Sequence, residues 1–244
     1  MRIKAFCLLL FLVLATIVAT PQVLAQECSG YYLLTNSAEY ELINYDRKDR
    51  LAGRVYYKVT SVNSSPTKTE AIIHSRILDD KGNLTTESDY TVSCKDGSML
   101  VDMRSMVNAD LLAAYRNMEV KTQGDQLDYP ATLTTGQELK DATFTIDVLD
   151  KETQQPLTTI VMHVTGRTVG EKENIHVPAG AYTAFKINQE LEIRTETMST
   201  NVPPARIRTV EYFVPGLGMV RSEAYKNGKL ISYSVLNKVT KPEH

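Results

Sequence analysis

The segment Met219–Val239, MVRSEAYKNGKLISYSVLNKV, is the stretch of sequence that decides the fold class. Apolar and polar residues alternate on both sides of the pair Asn227-Gly228, as expected of strands with two distinct faces. An Asn-Gly pair favours the positive φ angles of a two-residue hairpin turn. The sequence therefore predicts a β-hairpin whose strands are Met219–Tyr225 and Lys229–Val239.

The same period-two pattern recurs through most of the chain, with turn residues between its runs. It predicts further strands at Arg54–Thr60, Thr69–Leu78, Thr85–Cys94, Thr143–Asp150, Leu157–Thr168, Ala181–Thr197 and Arg206–Val214. About ten strands joined mainly by hairpins form an antiparallel sheet, and a sheet of that size curls or closes to protect its edges. We predict a mainly β fold with a single antiparallel curved sheet, barrel-like or half-barrel. A two-sheet β-sandwich is the alternative.

One segment departs from the strand pattern. Apolar residues between Met99 and Met118 recur at the three- and four-residue spacing of a helix, namely Leu100, Met103, Val107, Leu111, Ala114 and Met118. Asn108 could cap the N-terminus of a helix over Ala109–Asn117. We therefore expect one short helix between two runs of strands.

The first 25 residues have the three parts of a cleavable secretory signal peptide. Arg2 and Lys4 precede an apolar run from Ala5 to Ala19, and Val23-Leu24-Ala25 supplies a cleavage site. A membrane anchor is the alternative, but a spanning helix needs about 20 apolar residues and this run is shorter. We predict a signal peptide at 1–25 and a single domain at 26–244, exported to the periplasm or secreted.

Two cysteines, Cys28 and Cys94, remain after signal cleavage. In an oxidising compartment an isolated pair most simply forms a disulfide, although two free thiols or a metal pair are alternatives. Lipid attachment at Cys28 is not expected, because Glu27 occupies the position where a lipidation signal requires a small residue. We predict a disulfide between Cys28 and Cys94.

The charge of the mature chain excludes some classes of partner. Of the 27 basic and 29 acidic side chains, two basic ones (Arg2 and Lys4) lie in the signal, so the net charge after cleavage is −4. A mildly acidic chain without a basic run lacks the electrostatic signature of a nucleic-acid-binding protein. A membrane-spanning segment after cleavage is not expected either.

The C-terminal half resembles the TapB-like family of exported bacterial (Bacteroides-type) envelope proteins. The resemblance rests on the segment Glu173–Tyr182 with Phe185-Lys186-Ile187, on Glu211–Val220, and on Tyr129-Pro130 with Gly136 and Leu139. These motifs are β-turn patterns, and the similarity runs from about Cys28 to Val239. It implies a mainly antiparallel β fold in an exported protein, and the family offers no catalytic residues to carry over.

Signatures of catalysis and of metal binding are missing from the sequence. The four histidines, His74, His163, His176 and His244, do not form a close pair with one another or with a cysteine. A zinc site needs several such ligands close together, and a serine hydrolase elbow is also absent. We therefore predict a non-enzymatic protein without a metal or cofactor.

The methionine-rich segment suggests a binding role, since methionine side chains form adaptable apolar surfaces. We expect a lipid or another apolar molecule in the concavity of the curved sheet. The residues expected to line this site are Leu100, Met103, Val107, Leu111, Phe185, Ile187, Phe213 and Tyr233. The alternative is a structural or interaction protein of the envelope with a filled core and a protein partner.

Overall fold

The computed structural model describes residues 31–107, 115, 118–197 and 202–240. Over these residues the chain forms 13 β-strands and two short 3-10 helices. The strands are β1 (Glu39–Asp46), β2 (Leu51–Ser64), β3 (Lys68–Leu78), β4 (Leu84–Lys95), β5 (Ser98–Asp102), β6 (Glu119–Gly124), β7 (Gln126–Pro130), β8 (Ala142–Leu149), β9 (Pro156–Val177), β10 (Gly180–Thr197), β11 (Ala205–Val214), β12 (Gly218–Lys226) and β13 (Lys229–Thr240). The 3-10 helices are η1 (Tyr32–Leu34) and η2 (Met103–Met106).

All 13 strands belong to one antiparallel, nearly closed, barrel-like sheet, which confirms the predicted fold class and rules out the two-sheet sandwich. The strand order is β6-β8-β9-β10-β11-β12-β13-β1-β2-β3-β4-β5-β7. The predicted C-terminal hairpin is present, with Asn227 and Gly228 at φ angles of 51° and 72°. Its strands β12 and β13 pair from Arg221 opposite Val235 to Lys226 opposite Lys229.

The two edge strands are joined by a single residue, and this connection brings the ends of the sheet together. β6 pairs with β8 and β7 pairs with β5, while Asp125 lies between β6 and β7. The backbone N–H of Asp125 donates to the carbonyl of Thr143 at 2.8 Å. Arg167 of β9 also donates to the carbonyl of Asp128 in β7 at 3.1 Å. One extended stretch therefore spans the gap between the two ends of the sheet.

The helical spacing that begins at Met99 is a wrong prediction for its first residues. Ser98–Asp102 form β5, and Met103–Met106 form the 3-10 helix η2. Asp96 and Gly97 have φ angles of 51° and 74°, which make a tight hairpin turn after β4. This turn places Met99 opposite Cys94, so strand pairing overrides the apolar spacing. The predicted helix Ala109–Asn117 lies outside the described residues except for Tyr115.

Buried apolar side chains form two clusters. The larger contains residues such as Ile73, Val92 and Ile160. The smaller is drawn from β1, β2 and β9–β13. In β11, Phe213 belongs to the larger cluster while its neighbour Tyr212 belongs to the smaller one. Both faces of this strand are therefore buried, although an antiparallel sheet commonly leaves one face to water.

Candidate binding site

A partly open cavity of about 110 Å³ lies where the two apolar clusters meet. Its walls are mainly aromatic and aliphatic. We call it the tyrosine cavity, because five of its lining residues are Tyr32, Tyr40, Tyr57, Tyr90 and Tyr129. Met99, Val101, Phe213 and Glu211 also contribute to the walls. The site thus combines an apolar interior with a single carboxyl group.

Strand pairing brings three of these tyrosines together. Tyr40 lies directly opposite Tyr57 in the β1–β2 ladder, and their rings stack with centroids 4.4 Å apart. The ring of Tyr90 meets that of Tyr57 edge-on at 6.1 Å. The hydroxyls of Tyr40 and Tyr90 are hydrogen-bonded at 3.0 Å. Burial raises the pKa of Tyr57 to about 12, so this hydroxyl is neutral at physiological pH.

The short helix η1 covers one side of the cavity. The N–H of Tyr32 donates to the carbonyl of Gly216 at 2.7 Å. The hydroxyl of Tyr32 lies against the carbonyls of Glu39 and Thr240, at the open end of the β1–β13 ladder. Gly216 has a φ of 82°, a left-handed conformation that favours glycine. The turn between β11 and β12 therefore provides an anchor for η1.

A buried polar network with one residue from each of four strands adjoins the cavity, and two of its members, Tyr129 and Glu211, line it. The hydroxyl of Tyr129 donates to Glu211 Oε2 at 2.8 Å, and the Nε2 of Gln189 donates to Glu211 Oε1 at 3.0 Å. Arg167 Nε donates to Gln189 Oε1 at 3.1 Å. The guanidinium carbon lies 4.9 Å from the centroid of the Tyr129 ring, and this ring stacks on Phe213 at 4.7 Å. The network fixes the Glu211 carboxyl at the cavity wall.

Burial raises the pKa of Glu211, although Arg167, Tyr129 and Gln189 all act in the opposite direction. The desolvation cost of a charge deep in the interior thus exceeds the stabilisation from its neighbours. Arg167 itself lies behind Tyr129 and does not line the cavity. Among the described residues that do, Glu211 is the only acidic or basic side chain. The lining therefore presents one acidic group, and the basic group that interacts with it lies behind the wall.

A second concavity lies on the outer face of strands β13, β1, β2 and β3. It has a volume of about 340 Å³ and is mainly charged. We call it the charged groove. Eight of its described lining residues form two cross-strand rows, and Tyr40 and Tyr57 lie between them. The first row is Thr240, Glu39, Lys58 and His74, and the second is Lys238, Glu41, Tyr56 and Arg76. Lys58 pairs with Glu39 at 2.8 Å, and Arg54 from β2 pairs with Glu41 at 2.8 Å.

The residues predicted to line an apolar site are distributed over several environments. Phe213 lines the tyrosine cavity. Four others are buried in the larger cluster beside it: Met103, Val107, Phe185 and Ile187. Leu100 is half-buried on β5, between the two lining residues Met99 and Val101.

The other two predicted residues are not part of the described cavity lining. Tyr233 stacks on Tyr45, and its hydroxyl donates a hydrogen bond to Asp49. Leu111 lies outside the described residues, and the ligand-lining role stays a prediction.

The predicted disulfide also stays a prediction. Cys94 is fully buried in β4. Its predicted partner Cys28 lies outside the described residues, as does the signal peptide at 1–25.

Sequence reasoning missed the five tyrosines, Met99 and Glu211. One available signal was composition, because the chain has 13 tyrosines, five phenylalanines and no tryptophan. A second signal was Glu211, an acidic residue inside the apolar run Val210–Val214 and two positions from Phe213. In a strand these two residues share a face. An acid on an apolar face indicates either a buried network or a binding group.

Over the described parts of the chain, three or more His, Cys, Asp or Glu side chains nowhere come together in a way that could hold a metal ion. Within the same ranges, none of the helices has the length and apolar character needed to cross a bilayer.

Comparison with known proteins identifies a matching family and solved structures with a similar fold. A family model described as DUF3108-like matches residues 35–236. One similar structure is a Bacteroides fragilis protein that is provisionally named as an exported protein with a YmcC-like fold. It is 23% identical in sequence, its TM-score is 0.67, and the match covers 86% of this chain and 100% of that chain. Another is a Parabacteroides distasonis protein that is provisionally named as a lipoprotein. It is 20% identical in sequence, its TM-score is 0.72, and the match covers 86% of this chain and 98% of that chain. Searching the curated proteins gave no match.

Proposed function

The chain belongs to the DUF3108-like family, and we propose that it is an exported, non-enzymatic binding protein of the cell envelope that holds part of a ligand in the tyrosine cavity. The observation that carries the proposal is the cavity itself, a partly open space of about 110 Å³ with aromatic and aliphatic walls. Buried tyrosines, with an apolar ring and a polar hydroxyl, are suited to hold a ligand group with mixed character.

The volume limits what the cavity can accept. Pockets for drug-sized ligands span roughly 300–1,000 Å³, whereas this one has about 110 Å³. A whole lipid does not fit in that space. The proposal is therefore narrower than the sequence suggested: one small apolar or partly polar group enters the sheet, and the rest of the ligand stays outside.

Export is supported by the predicted signal peptide at residues 1–25 and by the provisional names of the two similar structures. Localisation in the periplasm or outside the cell is proposed on this basis. Membership of the TapB-like family remains a prediction.

The absence of catalysis is proposed from how the polar groups are used. Both carboxylate oxygens of Glu211 accept a hydrogen bond from a buried neighbour, which holds the group in place. His74 lies 2.8 Å from Asp89 in a cross-strand pair on the outer face. His163 is hydrogen-bonded to Thr143 at 3.1 Å. These arrangements favour structural and binding roles over proton transfer.

A pair of substitutions in β5 tests the proposal. Val101 lines the cavity, while the adjacent Leu100 does not. We expect Val101→Phe to fill the cavity and to weaken the binding of small hydrophobic probes such as tert-butanol or toluene by about tenfold or more in calorimetric titrations. Leu100→Phe adds a ring at the neighbouring position and is the matched control, with wild-type affinity. Equal binding by both variants, or no binding by the wild-type protein, would contradict the proposal.

A second candidate function is an interaction protein that docks a partner in the charged groove. The groove favours it because it is about three times larger than the cavity, 340 Å³ against 110 Å³. Its rows of alternating charge offer the complementarity that gives specificity at protein interfaces. In this case cross-linking in the envelope would capture a partner with the wild-type chain. Capture would be lost with Arg76→Glu and Lys238→Glu and unaffected by Val101→Phe.

A further inference from the structure

The charge of the tyrosine cavity is one-sided. Its described lining contains one carboxyl, from Glu211, and no lysine, arginine or histidine. The base that interacts with this carboxyl, Arg167, lies behind Tyr129 and outside the lining. A ligand in the cavity would therefore contact the carboxyl of Glu211 and not the guanidinium, which favours a cation over a carboxylate or a phosphate.

The aromatic walls act in the same direction. The faces of tyrosine and phenylalanine rings carry the negative side of the ring quadrupole and attract cations within about 6 Å. Tyr32, Tyr40, Tyr57 and Tyr90 supply four of these rings, whereas the ring of Tyr129 is already in contact with Arg167 and with the stacked ring of Phe213. The protein already uses this interaction beside the cavity, where the Arg167 guanidinium lies 4.9 Å from the centre of the Tyr129 ring. Several rings and one acid around a small space are the elements of a site for an organic cation.

The hydrogen bonds of Glu211 leave it free to receive such a cation. A carboxylate has about four lone-pair sites, and Glu211 uses one from each oxygen, for Tyr129 and for Gln189. The Glu211 residue exposes only 7% of its surface, and it still lines the cavity. A ligand charge placed beside it would replace part of the solvation that Glu211 lost on folding.

We propose that the tyrosine cavity binds the quaternary ammonium group of a small or lipid-borne cation. The inference rests on the proposed function, in that it assumes that the cavity takes up a ligand group. A methylated ammonium suits the site better than a primary amine, because its apolar methyl groups pack against rings and need no hydrogen-bond acceptors. Its compact, near-spherical form also suits a volume of about 110 Å³.

Titration with choline and with its uncharged carbon isostere, 3,3-dimethyl-1-butanol, tests this inference on the full mature chain. The two probes have nearly the same shape and differ in charge. We expect calorimetry to show choline binding at least about tenfold more tightly than the isostere. Equal affinities would overturn the ammonium inference and leave the proposed cavity function intact. The absence of binding by either probe would overturn both.

Variants of the wall separate charge from shape. Glu211→Gln keeps the size of the side chain and removes its charge, so it should lose the preference for choline while keeping the affinity for the isostere. Glu223→Gln, which changes a carboxylate of β12 held by Arg221 and Tyr225, is the matched control and should keep that preference.

A second pair of variants keeps the test valid should Glu211→Gln fail to fold. Tyr57→Phe retains the ring and should retain the preference for choline, whereas Tyr57→Leu removes the ring and should lose it. A preference that survives in Tyr57→Leu, or in a folded Glu211→Gln, would contradict the inference.

Discussion

Two glutamates show how differently the two concavities of this protein treat a charge. Glu41 lines the charged groove and Glu211 lines the tyrosine cavity, and each exposes 7% of its surface. For Glu41, burial raises the pKa, but hydrogen bonds from Arg54 and Asn237 outweigh it and the pKa is lowered. For Glu211, burial dominates and the pKa is raised. Equal exposure therefore does not mean equal solvation.

The difference originates in the alternation of the strands. On β1, Glu39 and Glu41 flank Tyr40, and on β2, Tyr56 and Lys58 flank Tyr57. The flanking residues form the rows of the charged groove, while Tyr40 and Tyr57 also line the tyrosine cavity. Charges on the outer face pair with neighbours near water. The one acidic group of the cavity wall, Glu211, depends on a network drawn from four strands. Substitutions in this network should therefore lower the free energy of unfolding far more than substitutions in the charged groove.

The largest contrast is expected when each glutamate loses its arginine. Arg167→Met should lower the free energy of unfolding by about 3–5 kcal/mol, because it leaves a buried carboxyl and amide without their cationic neighbour. Arg54→Met should cost about 1 kcal/mol or less, since the Arg54 side chain is 36% exposed and water replaces the lost partner. Urea denaturation of both variants measures the difference. Equal losses would break the comparison.

A smaller contrast is expected from two hydroxyls that both donate to a glutamate. Tyr129→Phe removes the buried hydrogen bond to Glu211 and should cost about 1–3 kcal/mol, since the oxygen left behind has no access to water. Tyr225→Phe removes a 2.7 Å bond to Glu223 at a half-buried position, and here a cost of about 1 kcal/mol or less is expected. Thermal and urea unfolding of the two variants provide the test, which the reverse order of stabilities would contradict.

The pH dependence of stability should have opposite signs for the two glutamates. Because the folded-state pKa of Glu211 is raised, its stabilising contribution is present below the unfolded pKa and is lost as pH rises through the folded pKa. For Glu41 the lowered pKa gives a contribution present above the unfolded pKa and lost as pH falls. Relative to wild type, Glu211→Gln should thus gain stability as pH rises from 4 to 8, and Glu41→Gln should lose it. Denaturation across this range would refute the comparison if both variants moved in the same direction.

The smallest effect is expected at the exposed end of the charged groove. Lys58 and Glu39 pair at 2.8 Å, but their side chains are 55% and 50% exposed. Such surface pairs contribute roughly 0–1 kcal/mol. Lys58→Ala should therefore change the free energy of unfolding by less than about 0.5 kcal/mol, and less still in high salt. A loss above about 2 kcal/mol would show that the groove is as interdependent as the cavity wall.

The sequence was sufficient to predict the long strands and their turns, because those depend on local patterns. Asn227-Gly228 forms the expected hairpin, and all seven of the other predicted strands overlap a strand of the structure. β1, β5, β6 and β7 were missed. β6 is short and largely exposed at the sheet edge, with little apolar content to mark it, and β7 has five residues ending in a proline. Such short strands form because they pair with strands elsewhere in the chain, and a local sequence pattern does not reveal this pairing.

The candidate site was less predictable than the fold for the same reason. Period-two alternation indicates that Tyr40 and Tyr57 share a face with apolar neighbours, but not that they stack on one another. Arg167, Gln189 and Glu211 appear in the sequence as ordinary polar strand residues. They become one network only when β9, β10 and β11 pair in the observed register. The methionines attracted attention by number, whereas Met99 lines the cavity through its place on β5.

The most direct test of the central claim, that ligands enter the inner cavity and not the outer groove, is a methyl NMR titration of the mature protein with choline. Met99 and Met219 line the cavity, whereas Met118 is 42% exposed on the surface. The methyl signals of Met99 and Met219 should shift and saturate together while that of Met118 stays fixed. A shift of the methyl signal of Thr240, which lines the charged groove, with unchanged Met99 and Met219 signals would contradict the claim.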